Sequence, residues 1–267
     1  HDRFALLIAH RFPDSFHSWF RIRAVPKESD LLTSNIYWNK LRRVVFRPWK
    51  IIGTVRQCFK KKLSPVPSLS TEEHLLFSAE VERLRQKVGI KPTDIENPNA
   101  AEILDSMGEI NPYFMLTLGG ARYSQKLIAT VKGIALNQHD GWCPEYRGSS
   151  TVDRALYHRD YRKLGSTVHV LTSGMDAGEI VYRSTACLTE DDNRHRIFLR
   201  TVALGTDLIC DAVSSIMTEE KIDLYDQPSY EGRTFLHREN TDDIVHAIQS
   251  DIEHGIFSHG LRSLREV

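Results

Sequence analysis

The chain has 267 residues, with 35 basic against 35 acidic side chains, 41% apolar residues and 26% charged ones. These proportions exclude a disordered or collagen-like chain and suit one large domain or two unequal ones with a sizeable core. A net charge of zero argues against binding through a global field, and the longest clean apolar run, 4–9, is far short of the roughly 20 residues that cross a bilayer. Cys58, Cys143, Cys187 and Cys210 stand far apart, with no CxxC pair and no His cluster at zinc spacing. A disulfide framework or metal site is therefore not expected, and a reducing, cytoplasmic setting is. The first residues lack the n-region and h-region of a signal peptide.

In chain order, residues 3–9 read as a short buried strand. Residues 31–62 carry apolar side chains at helical spacing, with Pro48 breaking the stretch in two, and 64–70 is a loop by composition. Ser70-Thr71-Glu72-Glu73 has the form of a capping box, so a helix is expected to Val88, ended by Gly89. Asn97-Pro98 marks the start of a helix running to Gly108. A strand over 113–118 is followed by Gly119-Gly120 and a short helix over 124–131, then a buried strand over 134–136. A loop over 137–148 precedes a helix over 151–158. Strands over 166–171 and 179–186 are split by a Gly-rich turn at 172–178, and helices over 193–217 and 242–252 close the chain. Alternating strands and helices, with largely apolar early strands, predict an α/β fold: a mostly parallel open sheet with helices on both faces.

In such sheets ligands gather at the carboxyl ends of the strands. Asn137-Gln138-His139 falls directly after one strand, Asp176 in the turn between two others, and Gly119-Gly120-Ala121-Arg122 after the preceding strand. Asn137 and His139, two apart in extended chain, point the same way, so Asn, His and Asp can meet in one pocket. An amide and an imidazolium both donate hydrogen bonds to an oxygen that gains negative charge, and a neighbouring carboxylate keeps the imidazole protonated. Such a trio suits acyl-type transfer in which a substrate amine attacks a carbonyl carbon directly. Taken alone, a histidine such as His139 is more often a core or surface residue than a catalyst, and Asp176 reads also as a turn-shaping residue.

The string from Asn137-Gln138-His139 through Pro144, Tyr146-Arg147-Gly148 and Ala155-Leu156, then Gly165-Ser166-Thr167-Val168-His169, then Gly174-Met175-Asp176-Ala177-Gly178-Glu179-Ile180 resembles the formyltransferases that use 10-formyltetrahydrofolate. That family includes glycinamide ribonucleotide, methionyl-tRNA and sugar-nucleotide N-formyltransferases. The pattern N-x-H, P-x-Y-R-G, G-x-T-V-H, G-x-D-x-G-x-I runs in order over about 111–186. The resemblance implies a Rossmann-like formyltransferase fold, 10-formyltetrahydrofolate as formyl donor, no metal, and a primary amine as acceptor. It implies that Asn137 holds the formyl oxygen, His139 stabilises the oxyanion, and Asp176 orients His139 and helps move the proton. Gly120, Ala121, Arg122, Tyr123, Gly174, Met175 and Gly178 match the segments around the folate pterin. Tyr146, Arg147 and Gly148 match the loop after the His, on the acceptor side. His169 also matches a family position, where a structural role within its strand is the preferred reading.

The first strand of that family and its Gly-containing turn are not evident, so an N-terminally incomplete chain or a diverged first strand is expected. Asp140-Gly141-Trp142-Cys143 departs from the Pro-Ser-Leu-Leu usual after the His, and Cys143 has no assignable base that would make it a nucleophile. The expected organisation is a catalytic core over 1–190, with a basic helical insert over 31–62, completed by a helical extension over 191–267. Between Lys40 and Lys62 there are nine Lys or Arg residues and no acid. This segment reads either as surface helices or as a docking face for a phosphate-bearing acceptor, an anionic membrane or nucleic acid. Only 91 residues follow Asp176, leaving little room for a second domain of the kind that methionyl-tRNA formyltransferases carry. An amino-sugar nucleotide or similar small amine is therefore expected as acceptor, ahead of glycinamide ribonucleotide and tRNA. A membrane-docking relative without catalysis, and a hydrolase releasing formate from the same folate, are the competing classes.

Overall fold

The structure is a computed structural model and describes residues 2–22, 71–119, 122–218, 222–228 and 232–265. The expected helices and basic stretch between residues 31 and 62, the loop over 64–70 with the Ser70 cap, and Gly120-Ala121 lie outside these residues. The described elements run α1 (Asp2–Arg11), β1 (Phe20–Ile22), α2 (Thr71–Val88), β2 (Thr93–Ile95), α3 (Ala101–Ile110), β3 (Phe114–Leu118), α4 (Gln125–Ile128), β4 (Ile134–His139), β5 (Tyr146–Gly148), α5 (Thr151–Tyr157), β6 (Gly165–Val170), β7 (Ile180–Thr185), α6 (Arg194–Met217), β8 (Arg233–Phe235), α7 (Asp242–Glu253) and α8 (Ile256–Arg265). Among them no helix is long and apolar enough to cross a membrane.

The α/β class holds. The central sheet has the order β3-β4-β6-β7. β3 and β4 are parallel, joined by a crossover through α4, whereas β4/β6 and β6/β7 are antiparallel. Two further parallel pairs, β1/β2 and β5/β8, stand apart from it. The sheet's parallel character thus lies in its first half, and the strands that return after α5 reverse it.

The first residues form a helix, not the strand expected over 3–9. Phe4 and Ile8 pack toward Leu136, Val168 and Ile209, while Ala5 and Leu6 pack with Trp19 and Leu84. A helix buried on two sides reads as a continuous apolar run, which period alone does not separate from a buried strand. Ion pairs from Arg3 to Glu80 (2.9 Å) and from Arg85 to Asp2 (2.5 Å) tie α1 to α2.

Boundaries shift where polar side chains serve the backbone. The helix expected from Asn97-Pro98 begins at Ala101, because Asn97 Oδ1 accepts from the Asn99 amide (3.0 Å) and holds a turn there. It passes through Gly108 and ends at Asn111, a left-handed residue with φ 48°. β4 continues through Asn137, Gln138 and His139, which sequence reading assigned to a loop. Ladder pairing on both edges keeps these polar residues extended. Within that supposed loop β5 also forms, and it pairs with β8, an unanticipated strand inside the C-terminal segment. Beyond the helix expected over 242–252, Gly255 at φ 73° turns the chain into α8.

Two cores flank the sheet's functional end. One packs Leu136, Val168, Val181 and Ile209 under α1 and the second half of α6. The other gathers Leu156, Leu164, Ile197, Phe235, Ile248 and Phe257 from α5, the first half of α6, β8, α7 and α8. Buried Asp153 binds Arg194 Nε and Nη2 (2.7 and 2.6 Å) and Asn240 Nδ2 (2.7 Å), joining α5, α6 and the segment before α7. α6 approaches the sheet closely at Gly205, where a Cβ would collide with Ser166 Oγ and Gln138 Nε2.

Gly205→Val is expected to lower unfolding free energy by about 1–3 kcal/mol, the range for overpacking a closed core. Gly108→Ala, on an exposed helical position with nothing within 4 Å of its Cβ, is expected to raise it by roughly 0.5–1 kcal/mol. Urea unfolding of the two variants beside the parent checks both signs.

Candidate active site

The side-chain period of a strand is two, so one face of β4 presents Asn137 and His139 and the other presents Gln138. Gln138 is fully buried against α6, donating to Val202 O (2.8 Å) and accepting from Thr206 Oγ1 (3.3 Å). On the opposite face, register sets Asn137 beside Thr117 of β3 and His169 of β6, and His139 beside Thr167.

Asp176 reaches this face from the turn between β6 and β7. Its φ of 47° is left-handed, a conformation that Asp tolerates better than most residues. Gly178 lets that turn close, since a Cβ there would collide with Val170 O. The Gly148 amide donates to Asp176 Oδ2 (2.9 Å). Asp176 Oδ1 lies 3.4 Å from both Asn137 Nδ2 and His169 Nε2, and Oδ2 lies 3.7 Å from His139 Nδ1. Burial alone would raise the carboxyl. The facing His139 and the Gly148 amide outweigh it and hold the group at about 2. Asp176 is thus an anion at neutral pH, beside two imidazoles.

His139 Nε2 donates to Tyr146 O (2.9 Å), an acceptor-only partner, which leaves Nδ1 as the ring nitrogen facing Asp176. Nδ1 is therefore the atom that can hold or pass a proton. Gly141 lets the chain fold back over this ring, because a Cβ there would collide with His139 Nε2 and lie 2.6 Å from Tyr146 O. The loop after His139 is held firmly. Thr167 Oγ1 donates to Gly141 O (2.6 Å) and accepts from the Cys143 amide (3.1 Å), Arg183 donates to Cys143 O, and the Arg183 guanidinium covers the Trp142 ring at 4.4 Å. Burial, reinforced by Asp176, pushes the Cys143 thiol well up, so it stays protonated and is no nucleophile.

The structure brings Asn137, His139, Asp176 and the Gly148 amide together. Tyr146 contributes its carbonyl, while its ring stacks on Phe235 (5.8 Å) and its hydroxyl donates to Asp160 (3.2 Å). Arg147 is buried, Gly174 and Met175 share the Asp176 turn, and Arg122 is exposed. Gly120 and Ala121 are outside the described residues. A cavity of about 1740 Å³ lies between α1, β1 and β3, and Tyr123 lines it. Burial lifts the Tyr123 phenol to about 12, so it remains a neutral hydroxyl there. The cavity borders the trio through Thr117, Leu118 and Gly119, without being lined by the trio itself. Asp176, with 15% of its side chain exposed, is the trio's route to solvent. Among the described residues no group of three or more His, Cys, Asp or Glu could hold a metal ion.

Sequence reasoning missed three contributors. Thr117 donates to Asn137 Oδ1 (2.7 Å), and the signal was a hydroxyl in the otherwise apolar strand Phe114–Leu118. Asn99 steadies the turn carrying Arg122 and Tyr123, donating to Arg122 O (2.7 Å) and accepting from the Ser124 amide (2.6 Å). Gly141 had no signal short of the folded loop.

Residues 81–213 match the family model described as Formyl transferase. A methionyl-tRNA formyltransferase of Limosilactobacillus fermentum is 26% identical over 195 residues, covering 73% of this chain and 55% of that protein. The chain thus spans about half the length of this curated relative. Two solved structures are similar in part. One is a sugar N-formyltransferase from Shewanella sp FDAARGOS_354, with TM-score 0.48 and 16% identity, covering 63% of this chain and 70% of that one. The other is the formyltransferase PseJ from Anoxybacillus kamchatkensis in complex with UDP-4,6-dideoxy-4-formamido-L-AltNAc and tetrahydrofolate, with TM-score 0.48 and 21% identity, covering 64% and 94%.

Because the Asp176 value is depressed in the folded state, its ionisation stabilises fully above about pH 4 and is lost as pH falls through the folded value. The gap in urea midpoint between the parent and Asp176→Asn is expected to be constant above about pH 4 and to close toward pH 2. A gap unchanged down to pH 2 contradicts the assignment.

Proposed function

The chain belongs to the formyl transferase family, and from that premise we propose that it moves a formyl group from 10-formyltetrahydrofolate to the primary amine of a small molecule. The observation that carries this reading is the meeting of Asn137, His139 and the anionic Asp176 on one face of the sheet.

The amine nitrogen attacks the formyl carbon, the carbonyl electrons move onto the formyl oxygen, and collapse breaks the bond between that carbon and the folate nitrogen. The amine's proton ends on the departing nitrogen. In this reaction Asn137 donates to the formyl oxygen, and His139 takes up the amine's proton at Nδ1, becoming the cation that stabilises the negative charge building on that oxygen, before the proton passes to the departing nitrogen. Donors of this kind contribute roughly 3–4 kcal/mol each. Nδ1 of His139 faces Asp176, so the proton in transit resides at that atom, and Asp176 stays ionised throughout. The turn carrying Gly174, Met175 and Gly178 also carries Asp176 and suits an enclosure for the pterin. Of the other stretch matched to that role, Gly120 to Tyr123, Tyr123 lines the cavity that borders the trio.

An amino-sugar nucleotide or an amine of similar size is the favoured acceptor. The cavity beside Thr117, about 1740 Å³, has room for a molecule of that size. The competing acceptors are glycinamide ribonucleotide and methionyl-tRNA.

The test is formyl transfer from 10-formyltetrahydrofolate to a panel of amino-sugar nucleotides, glycinamide ribonucleotide and methionyl-tRNA. The parent is expected to prefer a sugar nucleotide. Asn137→Ala and His139→Ala are expected to lower kcat by about 100-fold or more. A parent that transfers to none of them, or that releases formate without acceptor, refutes the reading. Preference for tRNA overturns the choice of acceptor alone.

A further inference from the structure

A carboxamide is useful as a donor to a reacting oxygen only when its NH2 end faces that oxygen, and its two ends have nearly the same shape. At Asn137 both ends are engaged by side chains that discriminate between them. Thr117 Oγ1 donates to Oδ1 at 2.7 Å, with Leu136 O, its other neighbour, at 3.3 Å. On the far end Nδ2 lies 3.1 Å from His169 Nε2 and 3.4 Å from Asp176 Oδ1. His169 Nδ1 sits 2.9 Å from Val170 O, which only accepts, so the ring proton resides on Nδ1 and Nε2 offers a lone pair to the amide.

Strand register makes this a row. Thr117, Asn137 and His169 are direct partners across β3, β4 and β6. Their exposures of 7%, 6% and 1% leave little room for water to replace a partner. Turned end for end, the amide would set Oδ1 against both the Asp176 carboxylate and the Nε2 lone pair. The longer contact, to Asp176, marks the N–H that a substrate oxygen takes over, while the one to His169 stays in place.

Resting on the formyl-transfer reading, we propose that Thr117 and His169 are positioning residues that lock the Asn137 carboxamide with its NH2 end toward the reacting carbon. They act on the reacting oxygen only through Asn137. His169 thereby has a task beyond packing its strand.

The test compares Thr117→Val with Thr117→Ser, and His169→Phe with His169→Gln, whose Oε1 replaces the accepting nitrogen. Thr117→Val and His169→Phe are each expected to lower kcat about tenfold, the worth of one lost hydrogen bond, with KM for both substrates within about twofold. Ser and Gln are expected to restore most of the loss. Folded Thr117→Val with parental kcat, or loss confined to KM, overturns the proposal. If His169→Phe fails to fold, the Thr117 pair decides. A readout independent of turnover is the 15N spectrum of His169 in the parent, expected to show a protonated Nδ1 and a bare Nε2. A protonated Nε2 refutes the lock, whereas a parent without transferase activity but with this tautomer refutes the formyl-transfer reading.

Discussion

An anion held mostly out of water survives only where donors replace its hydration. The Asp176 carboxylate meets that condition with groups from two separate stretches: the Gly148 amide of β5, and the His139 imidazole and Asn137 amide of β4. The carboxylate faces Nδ1 of His139 and Nδ2 of Asn137, and its bond from the Gly148 amide holds the β6–β7 turn down onto the sheet. Its left-handed backbone is tolerated because this network over-determines it.

The surrounding scaffold follows from that demand. β4 must be a strand through His139, since only an extended backbone aims residues 137 and 139 the same way while 138 faces α6. The antiparallel register of β6 on β4 brings His169 opposite Asn137. The loop after His139 must double back within contact distance of the ring, which Gly141 permits and Thr167 pins from both sides.

Much of this was legible from the sequence because the chemistry-bearing residues are closely spaced and sit in strong turn signals. Alternation set Asn137 and His139 on one face and the Gly-rich turn offered Asp176, but it was the resemblance of the longer string that singled the three out. Less legible was whatever depends on partners remote in the chain. The apolar run at 4–9 became a helix because it is covered on two sides. The end of β4 was placed too early because its last three residues are polar and are held extended only by β3 and β6. Three-residue strands such as β5 and β8 carry no periodic signal of their own. Thr117 and His169 read as strand residues until pairing set them on either side of Asn137.

The two packed clusters on either side of the site divide its anchorage. Gly148 is paired across β5 and β8 with Phe235 of one cluster, whereas the strands bearing Asn137 and His169 contribute Leu136 and Val168 to the other, and α6 contributes to both through Ile197 and Ile209. The tether on Asp176 and the strand row facing it thus have separate footings, and the site is whole only where the two meet.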